Sequence, residues 1–215
     1  MSAINYDGVE YRLTQPDAWF VYECTDKSFT HVEIPAFIHG KPVIAIGQMA
    51  FLHHPHLEEV HLPETVTEIL PHSFAGCNHL KKVMCSAREV HVAIGAFDSC
   101  YELTDFITQA SSSIDRAAFQ SCHKLCVMHT QIARLDSYAF RDCGSLTVPI
   151  SFANNAVLNF NAFDDSGVTD LLFHGNIKTI LKLETADLSR FTLMCTMQSN
   201  VSELICCGAT VRMVL

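Results

Sequence analysis

The side chains best suited to chemistry in this 215-residue chain are its twelve histidines and ten cysteines, and their spacing decides what they could do. The densest group is HHPH, where His53, His54 and His56 could join His72 and His79 as ligands to zinc. Zinc needs four ligands converging tetrahedrally, each with its second nitrogen supported. His54 reads instead as a packing residue, and His53 and His56 as surface-turn residues, so no metal site is expected. Cys122 and Cys126 with His123 and His129 come nearest to a thiol and base, yet packing alone accounts for Cys122. A Ser, His and Asp triad can be drawn from any chain this rich in the three, and without geometry it carries no weight. GxGxxG, Walker A, GxSxG, HExxH and CxxC are all missing. The expectation is a non-enzymatic protein with no catalytic residue, metal or cofactor.

The elements that position these residues are repeats. Phenylalanines fall at Phe51, Phe74, Phe97, Phe119, Phe140 and Phe163, at spacings of 23, 23, 22, 21 and 23. Five residues before each stands Ile46, Ile69, Val92, Ile114, Leu135 or Leu158. Three after come His54, Cys77, Cys100, Cys122, Cys143 and Ser166; six after come Leu57, Leu80, Leu103, Leu125 and Leu146, with Val168 one place early in the last copy. Nine after come Val60, Val83, Phe106 and Met128, whereas the fifth copy has Pro149. A unit this short cannot bury its apolar face alone, so successive units must stack, and an LxxVxL core at this period belongs to the leucine-rich repeat class. Four cysteines at one repeat position read as free buried thiols rather than a disulfide framework.

Through IPAFIHGKPVIAIGQMAF at 34–51, LEEVHLPETVTEILPHSFAGCNHLKKV at 57–83 and the later AF..C..L copies, residues 30 to 175 resemble the BspA-type (Treponema pallidum-type) leucine-rich repeats. The fold expected is an α/β solenoid: a parallel β-sheet on the concave face, turns or short helical segments on the convex face. Residues 1–29 read as an N-terminal β-hairpin cap, with Trp19 packed over the first repeat. Regular repeats occupy 30–175, and degenerate repeats with a C-terminal cap occupy 176–215, all in one domain. Within the last part, Leu188, Phe191 and Leu193, then Val201, Leu204 and Cys206, repeat the LxxVxL spacing. Gly40 suits a tight turn.

Alternation along each strand places two columns on the concave face. The first reads Glu33, His61, Met84, Ile107, His129, Ile150 and Leu172; the second reads His31, Glu59, Lys82, Asp105, Val127, Val148 and Asp170. An apolar area around Ile107, Val127, Val148 and Ile150, rimmed by charge, has the make-up of a protein-binding patch. A one-residue slip in repeats three to five, where the nominally inward partners are Thr108, Thr130 and Ser151, is the competing reading and would turn Ile107 and Ile150 inward, and Asp105 with them, or leave Thr108 and Ser151 outside.

Composition narrows the partners. Lys and Arg number 14 against 23 Asp and Glu, a formal charge of −9, with no dense basic cluster, which argues against nucleic acid and anionic lipid. With 49% hydrophobic and 17% charged residues the chain can build a continuous core, and no apolar run reaches membrane-spanning length. The start, MSAINYDGVEYRL, has no basic region followed by an apolar stretch, so the expectation is a cytoplasmic protein as written, or a surface or secreted one if a leader or anchor was trimmed. The resemblance implies a protein-interaction module, in bacterial surface adhesion or host contact, with an unidentified protein partner or self-association. An intracellular scaffold or spacer array is the alternative.

Overall fold

Alternating apolar residues give a strand one face to bury, and in a repeat that face is covered by the copies on either side. A computed structural model describes residues 2–14, 17–181, 188–195 and 210–213. A turn of the solenoid contributes a segment to each of two parallel ladders, as two short strands or, in the third to fifth copies, as one longer strand, followed by a connecting bend. The LxxVxL strands are β4 (His31–Glu33), β7 (Glu59–Leu62), β9 (Lys82–Cys85), β11 (Asp105–Ile114), β12 (Val127–Leu135), β13 (Ile150–Asn159), β14 (Asp170–Phe173), β16 (Thr192–Cys195) and β17 (Thr210–Met213). They pair in parallel as a first ladder. A second parallel ladder runs through β3 (Ala18–Cys24), β6 (Lys41–Ile46), β8 (Glu68–Ile69) and β10 (Glu89–Val92), then the later halves of β11, β12 and β13, and ends on β15 (Ile177–Leu181).

At the start, β1 (Ala3–Tyr6), β2 (Val9–Thr14) and β3 form an antiparallel meander, and β3 continues into the second ladder. Trp19, 5% exposed, donates its indole N–H to the Ile38 carbonyl at 3.0 Å. That carbonyl lies in a small hairpin of β5 (Phe37–Ile38) and β6, whose turn residues His39 and Gly40 both have positive φ, 50° and 76°, as a two-residue type I′ turn requires.

The side opposite the first ladder contains no α-helix among the described residues, only 3-10 turns at Phe160–Phe163 and Leu188–Arg190, so the α/β expectation with helical segments is corrected to an all-β solenoid. The reason lies two residues either side of each phenylalanine. Met49 and His53, His72 and Gly76, Gly95 and Ser99, Ala117 and Ser121, and Tyr138 and Asp142 all adopt positive φ, which interrupts any right-handed helix. The phenylalanine N–H groups point to the next copy instead: Phe51 to the Ser73 carbonyl, Phe74 to Ala96, Phe97 to Ala118, Phe119 to Ala139 and Phe140 to Ala162, at 2.7–2.9 Å. These bends are a third row of inter-repeat hydrogen bonds.

Between the rows lies one core. The rings of Phe51, Phe74, Phe97 and Phe119 stack at centroid distances of 5.0, 5.1 and 5.1 Å, and the stack continues through Phe140 and Phe163 at 5.7 and 6.1 Å. Each ladder thiol donates to the phenylalanine carbonyl one copy back, Cys77 to Phe51, Cys100 to Phe74, Cys122 to Phe97 and Cys143 to Phe119, at 3.0–3.2 Å. The cysteine thus fills the core and adds a second hydrogen bond to a carbonyl that already accepts the N–H three residues on within its own bend.

Of the copies for which a one-residue slip is the competing reading, the third and fourth keep the expected register and the fifth slips, and a further detail near the end of the chain differs from the sequence reading. The fifth copy slips by one residue: Ile150, not Pro149, points inward and pairs with Leu171, and Ser151 takes the outward place. Pro149 has no N–H for the ladder, and the inward residue arrives four rather than three places after Leu146. Near the end, β16 begins at Thr192, so Leu193 and Cys195 face inward in line with Leu171 and Phe173, while Phe191 is buried before the strand with its ring 5.6 Å from Phe160. The strand expected at Val201, Leu204 and Cys206 lies outside the described residues.

Candidate functional site: the outward columns of the first ladder

Outward residues of a parallel ladder stand side by side at the inter-strand spacing of about 4.8 Å. In register, Glu33, His61, Met84, Ile107 and His129 form one continuous column, which resumes after the fifth-copy slip as Ser151, Leu172 and Met194. Met84, Ile107, Leu172 and Met194 are half-buried, and His129 is exposed. The neighbouring column runs His31, Glu59, Lys82, Asp105 and Val127, and resumes with Asp170 and Thr192. Thus ten of the twelve predicted site residues occupy the predicted columns: Glu59, His61, Lys82, Met84, Asp105, Ile107, Val127, His129, Asp170 and Leu172. Ile150 does not, being 1% exposed and inward. Val148 lies just before β13, partly buried against the core, outside the paired strand.

Charge is unevenly distributed along this face. Glu59 is the hub at the N-terminal end: its carboxylate lies 2.8 Å from His61 Nε2, 3.6 Å from His31 Nε2 and 3.7 Å from Lys82 Nζ. The hydrogen bond from His61 is the main reason its carboxyl sits below the usual range. Asp105 and Asp170 differ. Each accepts a hydrogen bond from the threonine before it, Thr104 at 2.5 Å and Thr169 at 2.9 Å, and neither forms an ion pair among the described residues.

The slip also opens the ladder. Val127–His129 pair with β11 on one side, but β12 meets β13 only from Gln131, opposite Ser151, onward. In the interval lies a depression of about 370 Å³ lined by Val127, Met128, His129, Thr130, Val148, Pro149 and Ser151. A second depression of about 380 Å³ shares His129, Thr130 and Ser151 and extends to Thr108, Gln131 and His174. The sequence reading missed this gap and Met194, and placed Ser151 outward only through the competing slip; the four-residue step from Leu146 to Ile150 is the visible signal of the gap.

His53, His54 and the ladder cysteines fall where packing needs them. The His53 ring lies under Gly76, whose φ is +68°; a β-carbon there would come 2.1 Å from His53 Nδ1. Buried His54 places Nε2 3.2 Å from the Asp26 carbonyl, while its Nδ1 has no hydrogen-bond partner among the described residues. Burial holds its pKa below the ordinary histidine value. His123 stacks on Tyr101 at 5.3 Å, on the bend, away from His129 on the first ladder. Among the described residues no group of three or more His, Cys, Asp and Glu side chains could hold a metal. Burial raises the ladder thiols, Cys77 and Cys143 to about 12 and Cys100 and Cys122 well above their ordinary value, so they remain protonated and poorly nucleophilic at neutral pH.

A family model of the BspA-type leucine-rich repeat region matches residues 22–147 and 95–189, with six copies. The chain belongs to the BspA-type leucine-rich repeat family. Families of this kind are generally protein-interaction modules and typically non-enzymatic. No curated protein matches the sequence. Among solved structures, the chain is similar to a leucine-rich cell surface protein from Faecalibacterium prausnitzii A2-165, with 23% identity and a TM-score of 0.73, over 91% of this chain and 55% of that one. It therefore spans little more than half of that protein's length. It is also similar to the T. pallidum leucine-rich repeat protein, with 20% identity and a TM-score of 0.69, over 98% of both chains. A leucine-rich repeat protein from Bacteroides ovatus ATCC 8483 is 16% identical with a TM-score of 0.51, over 98% of this chain and 76% of that one. At these identities the likenesses establish the fold. No helix among the described residues is long and apolar enough to cross a membrane.

Proposed function

We propose that this BspA-type repeat domain is a non-enzymatic adhesion module at a bacterial cell surface, binding a protein partner through the outward columns of the first ladder. The observation that carries the reading is the row of half-buried aliphatic side chains, Met84, Ile107, Leu172 and Met194, set in a charged face that no element of the described chain covers. Large apolar side chains on an exposed sheet are the composition of an interaction surface, with charge at its rim setting register and encounter rate. Location at the cell surface is supported by the F. prausnitzii protein, which is described as a cell surface protein. Residues 1–29 act as the cap over the open end of the stack, since an uncovered end exposes core and strand edge together.

The test is binding to a panel of purified extracellular-matrix proteins by the wild type, by Met84→Asp/Ile107→Asp on the first ladder, and by Ile94→Asp on the bends. Ile94 is 47% exposed and serves as the control. The reading expects one panel member to bind the wild type and the Ile94 variant while the first-ladder variant loses at least about tenfold in affinity, the scale of one hot-spot side chain. Equal binding by all three refutes the site. Labelling of intact cells by a membrane-impermeant reagent tests the location; signal only after lysis favours an intracellular scaffold.

A further inference from the structure

The opening between the fourth and fifth copies differs from the rest of the face in two independent ways. Among the described residues, first-ladder pairing between neighbouring copies lapses here, leaving a depression with Val127, Val148 and Pro149 as its apolar wall and His129, Thr130 and Ser151 as its polar one. The opening is also flanked by two carboxylates, Asp105 and Asp170, that form no ion pair among the described residues, although Lys82 stands beside Asp105 in the ladder and pairs with Glu59 instead. Asp105 stands beside Val127 in register, and Asp170, one residue before Leu171, stands beside Pro149 across the pair of Leu171 with Ile150. At the other end of the same face Glu59 already has three basic neighbours. The chain as a whole has 14 basic against 23 acidic residues, so its field favours a basic partner.

We infer that this opening seats an extended basic segment of a partner protein, crossing the strands with an aliphatic side chain in the depression and a Lys or Arg at each carboxylate. The spacing makes the segment specific. Asp105 and Asp170 are three strand intervals apart, at least about 14 Å because pairing lapses in the middle interval, and an extended chain rises about 3.4 Å per residue with like-facing side chains at even separations. Basic residues four positions apart, with the aliphatic residue midway, match both the distance and the facing: basic–x–aliphatic–x–basic. Lys and Arg suit such a place because their apolar stems cover the valine walls while their heads stay in water at the carboxylates. The inference rests on the reading that the first ladder is the interaction surface, and it names the partner chemistry and the position on that surface.

The test is titration of the isotopically labelled full chain, followed by amide NMR shifts, with Ac-Lys-Ser-Leu-Ser-Lys-NH2. Controls are the charge-reversed Ac-Glu-Ser-Leu-Ser-Glu-NH2 and the respaced Ac-Lys-Lys-Leu-Ser-Ser-NH2. The first peptide is expected to shift amides around Asp105, Val127–Thr130, Val148, Ser151 and Asp170, and the two controls to bind more weakly or not at all. Asp105→Asn/Asp170→Asn should weaken binding by up to roughly 30-fold, since each exposed charge pair contributes a factor of up to about five. The variant's spectrum in the absence of peptide reports its folding. No shift, equal shifts from all three peptides, or indifference to the double variant overturns the inference. None of these outcomes touches the broader reading, which fails only if a bound matrix protein is indifferent to Met84→Asp/Ile107→Asp.

Discussion

Replacing Phe97 by alanine removes the centre of the ring stack. Phe97 is fully buried and touches three rings: Phe74 at 5.1 Å and 1°, Phe119 at 5.1 Å and 9°, and Phe106 edge-on at 5.7 Å and 66°. A buried Phe→Ala change costs about 3–5 kcal/mol through lost transfer energy and the cavity left behind. Phe140 is the comparison, equally buried but with two ring partners, at 5.7 and 6.1 Å. One aromatic pair is worth about 0.5–1.5 kcal/mol beyond its area, so Phe97→Ala should exceed Phe140→Ala by roughly that amount. At about 2–4 °C per kcal/mol for a chain of this size, Phe97→Ala lowers Tm by roughly 6–20 °C and Phe140→Ala by roughly 1–6 °C less. Phe37, 57% exposed on its hairpin, is the control, with an expected effect within about 0.5 kcal/mol. Thermal unfolding followed by circular dichroism measures all three. A Phe97→Ala change costing under about 1 kcal/mol, or one no larger than Phe37→Ala, would refute the continuous ring stack.

The register of the fifth copy predicts that Ile150→Asp, which buries a carboxylate, costs more than about 4 kcal/mol or prevents folding, whereas Ile107→Asp on the outward column stays within about 1 kcal/mol; urea titration of both variants checks the order. Because His54 has its pKa lowered in the folded state, the unfolded chain binds the extra proton first. Its contribution to stability is therefore complete above about pH 6.5 and is lost as pH falls through the folded pKa, with a slope of at most about 1.4 kcal/mol per pH unit. His54→Cys, which restores the ladder residue, should flatten the pH-stability profile below about pH 6.5, and an unchanged profile would show that His54 does not titrate on unfolding. Thiol labelling of the native protein at pH 8 with mass-spectrometric mapping should modify half-buried Cys126 well before Cys77 and Cys143, whose thiols are held near 12; rapid labelling of either would contradict their burial.

Much of this was legible in the sequence because the repeat samples one environment several times. Phe, Cys and Leu recur where the three-dimensional unit has one core, so the first ladder and its two outward columns follow from spacing alone through Val127 and His129. The bends were harder to read. Residues as different as Met49, His72, Ala117 and Tyr138 share positive φ, because the backbone there is set by hydrogen bonds to the next copy rather than by side-chain type. A helical connection therefore looked acceptable where the structure has a hydrogen-bonded bend. The second ladder was hidden as well, since its strands are as short as Glu68–Ile69 and only one of those two residues is buried. At the fifth copy the sequence left two registers open, Pro149 in the inward position or a one-residue slip. A one-residue slip turned Ile150 into the core and opened the gap beside Val127.

Hydrogen–deuterium exchange of the full chain with and without a bound matrix protein would place that protein on a specific face. Protection is expected in the first-ladder strands, at 82–85, 105–108, 127–130 and 170–173, with the phenylalanine bends unchanged. Protection confined to the bends, or to the meander at 3–24, would contradict the first ladder as the binding surface.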